Sequence, residues 1–344
     1  MKVALDAQMT VGTATGIGEY ARGLTDALRT IGVDVRPLAN THVDPWRFDR
    51  RLFWDQVVLP SMARASGADL LHCASGTMPL WRPIPCVVTV HDVAWLRVQA
   101  HARKYARWYF GTFALSQYAK ALRIIVDSTF SREELLDVVA VEPERVRVVY
   151  PGVAAEFAGL IRRPGGKRTI FVPGTLERRK NFEVLLRALV RMPQARVLSA
   201  GPFTAYKNEC LALAGELGVV DRVRFLGYVP RETLLDLYAT ADAVAVPSRY
   251  EGFGYAAAQA LCAGTPVVVA DASSLPEIVT DWAPVVGVDD VDAWCGALGR
   301  ILDEPQAAQE RADKVRHPAI ERFAWGASAR AMRGVYAEAL SVNR

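Results

Sequence analysis

No stretch of the chain approaches the roughly 18 to 20 consecutive apolar residues that a membrane-spanning helix requires. Cysteine is scarce: Cys73, Cys86, Cys210, Cys262 and Cys295 are odd in number, far apart and without a CxxC pair. Four of them lie in apolar stretches, so buried reduced thiols are expected, and with them a reducing compartment, the cytoplasm. A surplus of charge is also missing, because 41 Lys and Arg against 37 Asp and Glu leave only +4, too mild to argue for nucleic acid as a partner. There is no low-complexity tract and no short-period repeat. The opening MKVALDAQ carries an acidic residue at Asp6 and reads as a buried first strand rather than a signal peptide. The glycines that follow it, Gly12, Gly16 and Gly18, do not spell GxGxxG, which counts against a nicotinamide enzyme.

What the chain does have is length and alternation. Its 344 residues suggest two domains, and 51% hydrophobic composition is ordinary for globular proteins. Short apolar strands alternate with amphipathic helices, the pattern of parallel α/β architecture. In the first half, strands are predicted over 2–7, 33–39, 68–73, 86–90, 123–126 and 145–149, and helices over 19–31, 105–121 and 131–139. The polar run from Arg162 to Arg168 reads as a linker. Alternation then restarts, with strands over 169–172, 196–200, 222–226, 243–246 and 266–270 and helices over 181–190, 234–239 and 255–263. A last helix over 327–340 follows a charged segment.

Ligands in open parallel sheets bind beyond the carboxyl ends of the strands, so the loops there are where chemistry is expected. After the strand at 169–172, Arg178, Arg179 and Lys180 stand just before a helix, where they oppose its dipole, and an anion would relieve that cost. After the strand at 243–246 comes PSRYEGFG, then a helix, then Gly264 as its C-cap. Gly252 and Gly254 permit close backbone approach to a ligand, and the helix beginning near Tyr255 offers amide N–H groups to a diphosphate. Glu251 can accept hydrogen bonds from sugar hydroxyls, and Gln259 lies one turn along the helix on the face of Tyr255. A glycine loop before a helix serves a tight turn as readily as a ligand, so no one of these features decides the matter.

Together they resemble a known family. PSRYEGFG, Gln259 and CAGTPVV, with GTLERRKN upstream, look like the donor site of the retaining family 4 glycosyltransferases, and within them bacterial polysaccharide mannosyltransferases. Gly16-Ile17-Gly18-Glu19-Tyr20, VTVHD at 88–92, VRFLGYVP at 223–230, SLPEIV at 274–279 and FAW at 323–325 extend the resemblance over most of the chain. It implies the GT-B fold, α/β, with two Rossmann-like parallel-sheet domains facing a cleft. Residues 1–162 would form an acceptor-side domain and 168–318 a donor-binding domain, with 319–344 packing back on the first. The resemblance also implies transfer of a hexose, mannose first, from a nucleotide-diphosphate sugar to a glycan or lipid-linked acceptor, with retention and without a metal or other cofactor.

Carried onto this sequence, the resemblance implies that Arg179 and Lys180 bind the donor diphosphate and stabilise it as it leaves. Glu251 would contact the transferred sugar, and the amides around Phe253, Gly254 and Tyr255 would lie near the sugar and phosphates. The loop with Gly16 and Gly18 would lie across the cleft from the phosphates, and His91 would contact the donor sugar or order the acceptor. Gln259 stands where the family has a second glutamate on the ribose; a glutamine can still hydrogen-bond hydroxyls but brings no charge. That departure keeps a non-catalytic sugar-nucleotide-binding relative open beside a GT-B epimerase.

Other residues carry structural expectations. His72 reads as a core residue, and Ser128, Thr129 and Ser131 as a helix cap. Asp290-Val291-Asp292 matches the spelling of a metal-binding Asp-x-Asp but reads as a helix start. The segment 101–123 mixes Arg103, Lys104, Arg107, Lys120 and Arg123 with Tyr105, Trp108, Tyr109 and Phe110. Such a helix either lies on an anionic membrane surface, at the inner face, or packs its aromatics inward; inward packing is expected.

Overall fold

The computed structural model describes residues 1–12, 16–97 and 108–342. Contacts divide the chain into two units, Met1–Gly152 with Ala324–Arg344, and Val153–Phe323.

The first unit is built on a six-stranded parallel sheet. Its strands are β1 (Lys2–Asp6), β2 (Asp34–Leu38), β3 (Leu70–Cys73), β4 (Cys86–Val90), β5 (Arg123–Val126) and β6 (Val146–Val148), in the order β2-β1-β3-β4-β5-β6. Every residue of β3 and β4 is buried, as the uninterrupted apolar composition of LLHC and CVVTV requires of strands covered on both faces. On one face, helix Gly16–Thr30 places Leu24 and Leu28 against Met332, Tyr336 and Ala339 of helix Trp325–Val342. Glycine is needed twice to admit Trp325, because a Cβ on Gly23 or Gly152 would fall 2.2 or 2.3 Å from its indole. The opposite face is covered by Trp54, Leu59 and Ala63. These come from helices Phe48–Phe53 and Leu59–Ala65, joined by a π-helical turn at Trp54–Val58.

Helix Gly16–Thr30 begins three residues earlier than expected, so Gly16 and Gly18 occupy its first turn rather than the loop before it. First-turn amides have no intrahelical acceptor, so glycine weakens a helix least there. The aromatic segment begins, within the described residues, with a π-helical stretch Trp108–Phe113 and helix Ala114–Tyr118; Arg103, Lys104, Tyr105 and Arg107 lie outside the described residues. Tyr109 packs inward, its ring stacked 5.1 Å from Phe113 and its hydroxyl donating to Asp55 at 2.9 Å, while Trp108 is exposed. His72 is fully buried and Ser128 Oγ accepts the Ser131 amide at 3.0 Å, both as expected.

The second unit repeats the plan with a different strand order. Its strands are β7 (Thr169–Pro173), β8 (Arg196–Ala200), β9 (Val223–Gly227), β10 (Ala243–Val246), β11 (Val267–Ala270) and β12 (Val285–Val286), arranged β12-β11-β10-β7-β8-β9, all parallel. This is the 3-2-1-4-5-6 order of dinucleotide-binding sheets, and its reversal of direction falls between β7 and β10. The polar run read as a linker is bonded inside this unit. The Arg162 guanidinium donates to the carbonyls of Tyr238, Ala239 and Ala241, and the Gly166 amide donates to Asp242 at 3.1 Å. Tyr238 itself is fully buried, edge-on to Phe157 and Phe171 at 5.2 Å each.

Candidate active site

The crevice between the carboxyl ends of β7 and β10 is where the second sheet leaves room for a ligand. A pocket opens there, lined by Gly174, Thr175, Lys180, Ser199, Pro247 and Ser248 among others. After β7 the chain makes a 3-10 turn, Arg178–Lys180, and passes through Asn181 at φ 50° into helix Phe182–Arg191. After β10 it runs through Ser248 and Glu251 to Gly254 and helix Tyr255–Ala263. Backbone ties the two loops, since the Arg249 amide donates to the Arg179 carbonyl at 2.7 Å.

The cations meet on one carboxylate. Lys180 Nζ donates to Glu251 Oε1 at 2.5 Å, and Arg179 Nη1 lies 3.2 Å from Oε2 while also donating to the Tyr250 carbonyl at 2.9 Å. Ser248 Oγ donates to the same Oε1 at 2.7 Å. Arg179 reaches Glu177 at 2.7 Å with its other nitrogen, and Arg178 pairs with Glu209. The expectation that this basic run waits for an external anion is therefore corrected: carboxylates of the same unit already offset the helix dipole and the mutual repulsion. A ligand phosphate would compete with Glu177 and Glu251 for cations that are already held in place.

Burial alone would raise the Glu251 carboxyl, but Lys180 and Arg179, helped by Ser248, outweigh it and hold its pKa below the usual 4.5. The sign follows from the linkage. A carboxylate depressed in the folded state contributes stability above its unfolded pKa and loses it as pH falls through the folded value. Thermal melts between about pH 5 and pH 3 should therefore show a steeper loss in the wild type than in Glu251→Gln. Parallel curves would mean that the pair contributes nothing to folding.

The glycine-rich end of this loop is shaped by sterics. Gly254 has φ 93°, and a Cβ there would lie 2.9 Å from Leu275 Cδ2. As N-cap it offers no side chain to the helix, and its carbonyl accepts the amides of Ala257 and Ala258 at 3.0 and 3.2 Å. Phe253 is buried against Tyr255 and Phe323 at 5.2 and 5.7 Å, which fixes the loop from beneath. Gln259, half-buried, accepts the Tyr238 hydroxyl at 3.0 Å through its amide oxygen, leaving its NH2 as the donor for a further partner.

Sequence reading missed the serines and the paired glycines. Ser273 accepts the Glu251 amide at 2.9 Å, and Ser274 donates to the Glu251 carbonyl at 3.0 Å. Gly174 and Gly201, after β7 and β8, touch backbone to backbone: a Cβ on Gly201 would stand 2.0 Å from the Gly174 oxygen. The signal was present in AGP at 200–202, a glycine immediately after a strand. Asp290 is the helix N-cap, accepting the Ala293 amide at 2.9 Å, and Asp292 pairs with Arg191, so both carboxylates of the Asp-x-Asp spelling have structural work.

His91 belongs to the first unit, at the carboxyl end of β4. Its Nδ1 meets Asp127 at 2.6 Å and its Nε2 the Ala74 carbonyl at 3.0 Å, with the Tyr20 ring edge-on at 4.8 Å. Both ring nitrogens are thus engaged by the protein itself.

Comparisons with known proteins agree with this architecture. Residues 14–157 match the family model described as Glycosyltransferase Family 4, and residues 157–318 match Glycosyl transferases group 1. Among curated relatives, the D-inositol 3-phosphate glycosyltransferase of Mycolicibacterium smegmatis is 33% identical over 240 residues, covering 65% of this chain and 55% of that protein. The namesake from Mycobacteroides abscessus is 33% identical over 279 residues, 76% of this chain and 62% of its own. The chain spans little more than half the length of these relatives. Among solved structures, sucrose-phosphate synthase from Thermosynechococcus elongatus superposes with a TM-score of 0.79 at 22% identity, covering 99% of both chains. HepE of Anabaena, in complex with UDP and glucose, gives 0.76 at 17% identity over 98% of this chain and 99% of its own. At those identities the likeness speaks for the fold. One glycosyltransferase model matches the first half and another the second, so the chain carries a Glycosyltransferase Family 4 domain followed by a Glycosyl transferases group 1 domain, on two parallel sheets folded as in GT-B proteins.

Proposed function

We propose that this chain transfers a hexosyl group from a nucleotide-diphosphate sugar to a hydroxyl of a glycan or lipid-linked acceptor, retaining the anomeric configuration. The observation that carries this reading is the convergence of Arg179 and Lys180 on Glu251, four residues before helix Tyr255–Ala263 begins. Breaking the bond between the anomeric carbon and the phosphate oxygen leaves growing negative charge on the diphosphate. Fixed cations and a helix dipole stabilise that charge without a metal. On this route the acceptor oxygen bonds to the anomeric carbon on the face the phosphate leaves, and the acceptor proton passes to the departing phosphate oxygen. Glu251, charged and held by its cations, suits hydrogen bonds to sugar hydroxyls more than proton transfer.

Mannose from GDP-mannose is our first choice of donor, on the GTLERRKN form of the cation loop. The UDP complexes of HepE place UDP-hexoses beside it in the trial. The curated relatives named for D-inositol 3-phosphate add a phosphorylated polyol to the acceptors worth testing. A GT-B epimerase and a non-catalytic binding relative are the competing readings.

Thermal shift against a panel of sugar nucleotides is the first test. A donor at a hundred times its Kd stabilises the folded state by about 2.7 kcal/mol, and the cognate one should raise Tm by several degrees. The reading then requires product only when an acceptor is added. Turnover of donor alone to an isomeric sugar nucleotide would favour the epimerase, and no shift with any sugar nucleotide would remove the donor site altogether.

A further inference from the structure

Two histidines lie near one another in the first unit, His72 fully buried and His91 part-buried, and their partners differ in a way that decides their charge. His72 Nδ1 meets the Tyr336 hydroxyl and its Nε2 the Thr89 hydroxyl, both at 2.7 Å. A hydroxyl donates or accepts as required, so a neutral imidazole with one N–H satisfies both contacts. His91 has no such freedom. Its partners are a carboxylate and a backbone carbonyl, and neither the carbonyl nor an ionised carboxylate can donate.

We infer that Asp127 is a positioning residue that holds His91 as an imidazolium donating from both ring nitrogens, a fixed positive charge at the carboxyl end of the first sheet that assists transfer electrostatically and not as a base. The clause about transfer rests on the function proposed above; the clause about charge does not.

The surroundings favour this state. Asp127 is buried, and its second carboxylate oxygen has no hydrogen-bond partner among the described residues; burial pushes its carboxyl above the usual carboxylate range, and the charge and hydrogen bond of His91 act against that rise. Burial alone would lower the His91 pKa, but Asp127, through its charge and its hydrogen bond, together with the Ala74 carbonyl and the charge of Asp92, raises it above the ordinary value. His72, by contrast, is pushed down to about 3 by burial and by the charge of His91. Of the other groups against the ring, the Tyr20 phenol is held protonated by burial and by Asp127. The Asp92 carboxylate accepts the Ala94 amide at 3.0 Å. A cation with both N–H groups committed inward cannot take the acceptor proton, and its contribution is the field it projects.

The full-length protein provides the test. Ring-nitrogen NMR, with His91 assigned by its loss in His91→Gln, should show two protonated nitrogens for His91 at neutral pH. His72 should show one bare nitrogen. In Asp127→Asn, the His91 titration should move to lower pH. The alkaline side of the kcat profile should fall about tenfold, with donor KM unchanged, because one hydrogen bond to a charged group is lost. A purely structural role for Asp127 predicts instead an equal loss at every pH, accompanied by a lower Tm, and that result would remove the electrostatic role. A bare nitrogen on wild-type His91 at neutral pH would overturn the inference outright, whether or not Asp127→Asn folds. Because the NMR result needs no substrate, it stands apart from any failure to find sugar transfer.

Discussion

Lys180→Ala should lower kcat by about a hundred- to a thousandfold, the range seen when a group that stabilises developing charge is removed. The donor KM should rise far less. On the function proposed above the ammonium would face a ground-state diphosphate as well, but the charge it answers would grow as the anomeric bond breaks, so its loss should fall mainly on the transition state. The fold should survive, because Glu251 keeps Arg179 at 3.2 Å and the Ser248 hydroxyl at 2.7 Å. A buried carboxylate left without any cation would be a different matter, costing about 3–5 kcal/mol. The measurement is a kcat and KM pair with the cognate donor, beside a thermal melt. Wild-type turnover in Lys180→Ala would remove this residue from the leaving-group role.

Gly201→Ala should be the most damaging conservative change in the second unit. Gly201 has φ 153°, and its Cβ would stand 2.0 Å from the Gly174 oxygen and 2.9 Å from the Thr175 nitrogen. These are backbone atoms, so no rotamer change relieves the overlap. The loops after β7 and β8 must separate, which breaks the hydrogen bonds from the Gly174 amide to the Ala200 carbonyl at 2.8 Å and from the Leu176 amide to the Pro202 carbonyl at 2.9 Å. Strain and overpacking together suggest a cost of about 3 kcal/mol or more, or about 6–12 °C in Tm for a unit of this size. The same displacement carries Arg179 and Lys180 away from Glu251, so activity should fall with stability. Gly215→Ala is the control: nothing lies within 4 Å of a Cβ at that exposed helical position, and a small gain is expected. A Gly201→Ala protein melting like the wild type would mean that these loops are not in contact in solution.

The parts of the fold written in local pattern could be read from the chain. The strands at 86–90, 123–126, 196–200 and 243–246 and the helix at 255–263 coincide with those found, because apolar runs bounded by turn residues specify them. Helix Phe48–Phe53 with its π-helical continuation was not legible, since the turn at Trp54–Val58 breaks the 3.6-residue period. Helix Tyr206–Glu216 escaped for a related reason: its buried residues, Tyr206, Cys210 and Ala214, form a narrow stripe on a largely polar helix. The strand Val285–Val286 is too short to leave a pattern.

At the site, Arg179, Lys180, Glu251 and Gly254 were legible because their loops follow strands and carry distinctive residue types. Their mutual arrangement was not. That Lys180 ends on Glu251, 71 residues away, or His91 on Asp127, 36 residues away, follows from strand order, and strand order is not a local property. The charge balance of the RRK turn was misread for the same reason, as Glu209 and Glu251 are remote in the chain.

The return of the last helix has a consequence for how the chain must be made. Met332, Val335, Tyr336 and Ala339 belong to the same apolar cluster as Leu24, Leu28 and Val87, although more than two hundred residues of sequence separate Val87 from the nearest of them. During synthesis, Val153–Phe323 has its whole complement of strands before Trp325–Val342 is made, whereas the apolar face shared by helix Gly16–Thr30 and the first sheet stays partly uncovered until that last helix emerges. The unit begun earlier is thus completed later than Val153–Phe323. A nascent or truncated chain lacking helix Trp325–Val342 would expose that part of the face to chaperones or to other copies of itself.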